Sequence, residues 1–228
     1  MTYITSTQSY FPNLREVWQY RRLAWVLARR NIKLRYTQTA LGSIWIILQP
    51  LMLTGILTLV FGVLLSLPSD GVPYGLFTFS GMVLWSAFQR GVGDAGISLA
   101  NSGNIVLKVY FPRILVPASS IMTTLFDLAI MFAALLLVVI VFGKFPGFVI
   151  LFAIVPIFIT LMLAFALGLW IAIVDAVFRD MRVVVPTTLQ MLFYASPIMY
   201  SEAVVPERWA TLYNFNPMVG IMKSFRWA

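Results

Sequence analysis

Three long apolar runs dominate what this chain can become. Ile44 to Leu65 and Phe148 to Val174 carry no formal charge, and Pro117 to Phe142 carries only Asp127. A helix crosses the hydrocarbon of a bilayer in about 20 apolar residues, and every backbone polar group there must be satisfied within the protein. Two further segments extend the pattern. Tyr74 to Ala100 is less apolar in its second half, with Gln89, Arg90 and Asp94, and Val183 to Tyr200 is the shortest, with Pro186 and Pro197. The expected fold is an all-α integral membrane protein: a single transmembrane domain over 1–228 with spans at 44–65, 74–100, 117–142, 148–174 and 183–200. Composition agrees, because 11% of the residues are charged against roughly 25% in soluble domains. Prolines at positions 50 and 156 are expected to kink the first and fourth spans.

Several chemistries are excluded. The chain has no cysteine and no histidine, which removes disulfides, thiol nucleophiles, imidazole bases and the usual zinc ligands. No Gly-x-x-x-x-Gly-Lys-Ser/Thr run is present to cradle a nucleotide phosphate. Asp175, Arg179 and Asp180 cluster loosely and read as loop charges rather than as the centre of a membrane-embedded transferase. The sequence therefore points to no catalytic, cofactor or metal residue. Any work done with ATP and Mg falls to another subunit.

The net charge of +8 suits a membrane surface better than nucleic acid, because it is concentrated beside one span. Residues 13–39 read as an interfacial amphipathic helix. Leu14, Val17, Trp18 and Trp25 are expected on one face, and Arg15, Arg21, Arg22 and Arg29 on another, turned to anionic headgroups. Residues 1–43 hold seven Lys or Arg, and the turns at 101–117 and 175–182 hold two each. By the positive-inside rule these ends are cytoplasmic, as is the N-terminus. Residues 201–228, broken by Pro206 and Pro217, are too short in each half to span. They are expected to dip into the outer leaflet as two short helices.

Charges within spans are costly and call for partners. Arg90 and Asp127 fall at similar depth on adjacent antiparallel helices. Asp94 is a rival partner for Arg90, one helical turn away, and a wet cavity without either pair is the third possibility. Small residues recur every fourth position at Ala87, Gly91 and Ala95 and again at Ala164, Gly168, Ala172 and Ala176, as in closely packed membrane helices. Packing within the chain is favoured there over a dimer interface. Phe77, Phe79 and Trp85 are read as packing or belt aromatics before channel lining.

Five blocks in order resemble the polysaccharide-exporting permeases of the ABC-2 family, which serve O-antigen, capsule and teichoic acid export. They are RRNIKLRYTQTALGSIWIILQPL from Arg29, PYGLFTFSGMVLWSAF from Pro73, NSGNIVLKVYFPRILVPASS from Asn101, FRDMRVVVPTTLQMLFYASPIMY from Phe178, and FNPMVGIMKSFRWA at the end. Asn31 stands where the family often has Asp. The resemblance implies a homodimer of this subunit with two cytoplasmic ATPase subunits in the cell inner membrane, moving a lipid-linked glycan. It implies six spans, so a sixth is expected beyond Ala228. It places an ATPase-coupling segment within 101–116, using Val106, Leu107, Lys108, Tyr110, Phe111, Pro112 and Arg113. Arg29, Arg30, Lys33 and Arg35 would form a basic approach for the lipid diphosphate. Pro206, Trp209, Asn216 and Pro217 would belong to outer gate helices. The alternatives are an ABC-2 exporter of a small lipid or drug and, on the thin basis of Asp127, an ion-coupled secondary transporter.

Overall fold

The computed structural model of the chain describes residues 14–37, 41–103, 108–143 and 147–228. Asn13, Thr39, Val106, Leu107 and Lys144 lie outside the described residues, as does the whole of 1–12. Among the described residues every regular element is a helix. In chain order these are α1 (Leu14–Gln19), α2 (Arg21–Tyr36), α3 (Trp45–Leu57), α4 (Tyr74–Gly96), α5 (Ser98–Asn101), α6 (Leu115–Val141), α7 (Ile154–Asp175), α8 (Met181–Tyr194), α9 (Glu207–Asn214) and α10 (Pro217–Trp227). A tight turn at Gly42–Ile44 leads into α3, a widened one at Thr58–Leu64 continues it, and Phe148–Ala153 leads into α7.

Three of these stretches, Gly42–Leu64, Leu115–Val141 and Phe148–Asp175, are long and apolar enough to cross a membrane. The second expected span forms the 23-residue helix α4, long enough but more polar. The fifth differs most. Its helix has 14 residues, about 21 Å at 1.5 Å per residue, and it stops at Tyr194 because Ser196 and Pro197 turn the chain. The expected kink at Pro156 is also revised. Pro156 stands in the first turn of α7, where a missing backbone donor costs nothing. Pro50 and Pro186 do sit inside helices.

Helix α4 is the axis of the bundle, buried for most of its length. It packs on α7 through the two small-residue seams. A Cβ built on Gly91 would lie 2.9 Å from the Ala164 Cβ, and one on Gly168 would lie 2.6 Å from the Ala95 Cβ. The seams face each other inside one chain, and this close approach lets dispersion accumulate where the hydrophobic effect is weak. Phe77, Phe79 and Trp85 are buried in the same core. The hydroxyls hidden in α6 satisfy themselves locally, as Ser119, Thr123 and Thr124 donate to carbonyls of the preceding turn at 2.7, 3.0 and 3.2 Å. At the far end of the bundle, α10 buries Met218, Val219, Ile221, Met222 and Phe225 against α4 and α7.

The N-terminal helix is broken at Tyr20, and its faces are not those expected. Ala24, Leu27 and Ala28 turn inward, and Ala24 and Leu27 pack with Phe111, Leu115 and Val116. Trp18 and Trp25 are exposed, and the Arg21 guanidinium lies 4.7 Å over the Trp18 ring rather than on an opposite face. Small residues face the bundle because α2 runs alongside the first turns of α6, and the large aromatics are left on the outside.

Gly168→Leu is expected to cost about 1–3 kcal/mol by overpacking, read as a lower melting temperature in detergent. Gly55→Ala, where an added Cβ meets nothing within 4 Å, should leave the melt unchanged. Equal melts for the two variants would show that the seam does not set the α4–α7 distance.

Candidate functional site

The inward stripe of α2 that begins with Ala24, Leu27 and Ala28 continues one and two turns later to Asn31 and Arg35. It delivers Arg35 to the bundle. Arg35 Nη2 donates to Asp94 Oδ2 on α4, and Arg35 Nη1 donates to Asp127 Oδ2 on α6 at 2.7 Å. Tyr36 donates its hydroxyl to Asp127 Oδ1 at 2.7 Å. Arg90 Nη1 approaches Asp127 Oδ2 at 3.4 Å. The pairing of Arg90 with Asp127 is thus present, while Asp94 goes to Arg35 and not to Arg90. The Asp127 side chain is 4% exposed, so its charge depends on these donors.

Arg35, which the resemblance puts in the basic approach to the lipid diphosphate, stands inside this cluster. Its position on the stripe of Ala24, Leu27 and Ala28 distinguishes it from Arg29, Arg30 and Lys33. Burial alone would lower the Arg35 pKa, but Asp94 and Asp127 outweigh it and hold the group above its ordinary value. Burial pushes the Tyr36 phenol up to about 12, helped by its hydrogen bond to Asp127. It therefore remains a donor at neutral pH.

Three cavities meet at this cluster. The largest, about 600 Å³, lies between α3, α4 and α8 and is lined by Gln49, Gln89, Gln190, Trp85, Phe193 and Tyr194 among others, with Arg90 and Asp94 as its charged residues. The second, about 330 Å³, shares Gln49, Arg90 and Asp94 with it and adds Arg35, Tyr36 and Trp45. The third, about 270 Å³, reaches from Arg35 and Asp94 to Arg30, Asn31, Ser102 and Ser120. All three share Asp94 in their lining, and they adjoin from the exposed side of α2 to a groove along the bundle. The three glutamines were not singled out in the sequence. Gln89 is exposed on a helix otherwise buried nearly throughout, and that contrast appears only once the fold is known.

Arg29, Arg30 and Lys33 are exposed on the same helix as Arg35. In the segment before α6, Lys108, Tyr110 and Arg113 are exposed and Pro112 is half-buried. Phe111, expected to face a partner, is 5% exposed and packs against α2 and α6. At the far end, Asn216 caps α10 by accepting from Met218 N at 3.0 Å and donates to Ser196 Oγ at 2.9 Å. Pro217 opens α10 and Pro206 precedes α9, where Trp209 is exposed. A separate cavity of about 610 Å³ there is lined in part by Asp70, Glu202, Lys223 and Arg226. Arg226 is occupied, with its guanidinium 3.5 Å over the Phe77 ring and donating to Phe77 O at 3.1 Å and Ser80 Oγ at 3.3 Å. Lys223 pairs with Glu202 at 2.8 Å.

Asp127→Asn is expected to destabilise the purified protein by about 3 kcal/mol, because it leaves two guanidiniums without their shared anion. Asp94→Asn, at a site one-third exposed, should cost about 1 kcal/mol. Denaturant titration in detergent measures both. A double-mutant cycle between Arg35 and Asp127 should return a coupling of about 1–3 kcal/mol. A coupling near zero would remove the cluster as the fastening of α2.

The chain matches the family model of the ABC-2 type transporter over residues 22–228. It is 29% identical over 218 residues to the O-antigen export system permease protein RfbA of Myxococcus xanthus, an alignment covering 93% of this chain and 82% of that protein. It is 24% identical over 202 residues to RfbA of Klebsiella pneumoniae, covering 88% and 77%. It is 24% identical over 199 residues to the polysialic acid transport protein KpsM of Escherichia coli, covering 86% and 77%. With nearly the whole chain inside the family model, and its apolar helices packed around a polar groove, this protein belongs to the ABC-2 type transporter family.

Proposed function

We propose that this chain is the membrane subunit of an ATP-driven exporter that moves a lipid-linked polysaccharide, of the O-antigen, capsule or teichoic acid class, out of the cytoplasm across the inner membrane. The observation that carries this reading is the groove between α3, α4 and α8. It joins amide side chains and aromatic rings in one wall, and hydroxyl-rich sugars offer both hydrogen-bonding groups and apolar C–H faces to such a wall. The relatives named for O-antigen and polysialic acid transport support the same substrate class.

On this reading the chain is a transport subunit and not an enzyme. It works as a homodimer with two ATPase subunits, which bind ATP and Mg. The segment around Lys108, Tyr110 and Arg113 meets the ATPase, with Phe111 anchoring it from within. The N-terminus lies in the cytoplasm, and five segments cross the membrane. Arg29, Arg30 and Lys33 receive the lipid diphosphate. ATP closure acts only through contacts that differ between the two states of the membrane subunit.

An exporter of small lipids or drugs would share this architecture, and one experiment separates the two. The gene is deleted and the lipid-linked polymer is followed. Surface polymer should vanish and polymer on its lipid carrier should accumulate inside. Unchanged surface and internal glycans would transfer the assignment to a small amphiphile. In the intact exporter, Tyr110→Asp should abolish export while leaving the melting temperature of the membrane subunit within about 2 °C, as expected for an exposed position. Full export by this variant would exclude the segment from ATPase coupling.

A further inference from the structure

The groove has an unusual balance of charge for a path that handles polymers. Its 600 Å³ chamber takes one glutamine from each of its three walls: Gln49 from α3, Gln89 from α4 and Gln190 from α8. All three are exposed to it. Gln89 also accepts from Trp85 Nε1 at 3.1 Å, which orients its amide so that the NH2 end is turned away from the indole. Tyr194 is exposed at one end of the chamber, with its ring edge-on to Phe193 at 5.3 Å. The charges at the floor cancel. Arg35 and Arg90 are held by Asp94 and Asp127, two guanidiniums against two carboxylates, and the exposed cations of α2 remain outside the chamber at Arg29, Arg30 and Lys33.

From this we infer that the chamber is a subsite for uncharged sugar residues, held by the amides of Gln49, Gln89 and Gln190, and that it discriminates against acidic ones. The inference rests on the polysaccharide-export reading and narrows it. An amide presents both a donor and an acceptor and matches a sugar hydroxyl, which is also both. A carboxylate entering the same chamber would lose water, a cost the neutral sugar does not incur, and Arg90, the cation among the described lining residues, already faces Asp127 at 3.4 Å. A second copy of the chain facing the first would repeat the same neutral balance. The diphosphate of the carrier is a different matter, since it meets the basic face of α2 and need not enter the chamber. The relatives named for O-antigen export and for polysialic acid transport differ in the polymer of their names, and the chamber's lining bears on which sugars the present chain accepts.

The test uses the full chain assembled with its ATPase in lipid vesicles. Two substrates share one polyprenyl-diphosphate carrier and one chain length: an oligomannoside, and the same chain oxidised at C6 to the oligomannuronate. Appearance of glycan on the far side is measured, with ATP hydrolysis as a second readout. The oligomannoside should move at least about tenfold faster, and Gln190→Leu should slow it about fivefold to tenfold, the weight of one neutral hydrogen bond. Gln190→Lys should raise transport of the oligomannuronate and lower that of the oligomannoside. Assembly with the ATPase should be unchanged in both variants, since Gln190 is exposed. Equal or faster transport of the acidic chain by the unaltered protein would overturn the subsite while leaving the export reading intact. So would insensitivity of both substrates to the two Gln190 variants. Failure to move either glycan, with the ATPase assembled and active, would overturn the export reading and the subsite with it.

Discussion

Arg35 is carried on α2, yet both of its carboxylate partners belong to other helices, Asp94 to α4 and Asp127 to α6. An unpaired charge in or near hydrocarbon is expensive, so each of these groups is stable only where the others are. The result is a geometric tie. Three helices far apart in sequence must converge at one point, and α2, which has only a narrow stripe of alanine and leucine to bury, is fixed in rotation and height by its last turn. Asp127 accepts from Tyr36 and from two guanidiniums, and this makes it the least replaceable member.

The tie works against a second constraint, the close approach of α4 and α7. Gly91 and Gly168 let these backbones meet with methyl groups in contact, and Trp85, Phe88 and Phe79 fill the space beside them. With α4, α6 and α7 packed as a rigid core, α3 and α8 are left at its flank. Pro50 and Pro186, one in each, lie on opposite walls of the groove. Each removes a backbone donor inside a helix, so each frees a carbonyl in the preceding turn, a polar group that apolar surroundings would not tolerate. A wet, amide-lined groove accommodates such carbonyls where a lipid-facing surface would not.

Much of this was legible in the sequence. The apolar runs at 117–142 and 148–174 became helices within a few residues of their expected ends, because length and hydropathy alone decide that outcome. The seams at Gly91 and Gly168 were legible because a period of four survives in any helix. The pairing of Arg90 with Asp127 followed from counting residues along antiparallel helices, whereas the role of Arg35 did not. A cationic run before a span reads as a headgroup-facing flank, and only the placement of α2 against α6 shows that one member points inward. The fifth helix ends before the expected bound because Ser196 and Pro197 turn the chain, and the hydrogen bond from Asn216 to the buried Ser196 holds that turn against α10. The glutamine walls lay in three separate segments, and no single-segment pattern brings them together.

The same placement of α2 also bears on transmission. At one end α2 packs Ala24 and Leu27 against Phe111, next to the exposed Tyr110; at the other, Arg35 forms the floor shared by two of the three cavities. On the proposed reading, the ATPase acts at the first end and the glycan passes the second. Arg35 stands at this second end, and its carboxylate partners on α4 and α6 tie α2 to the helix that lines the groove. A displacement of α2 must therefore carry α4 and α6 with it or break a charge pair, which is costly where the pair is buried.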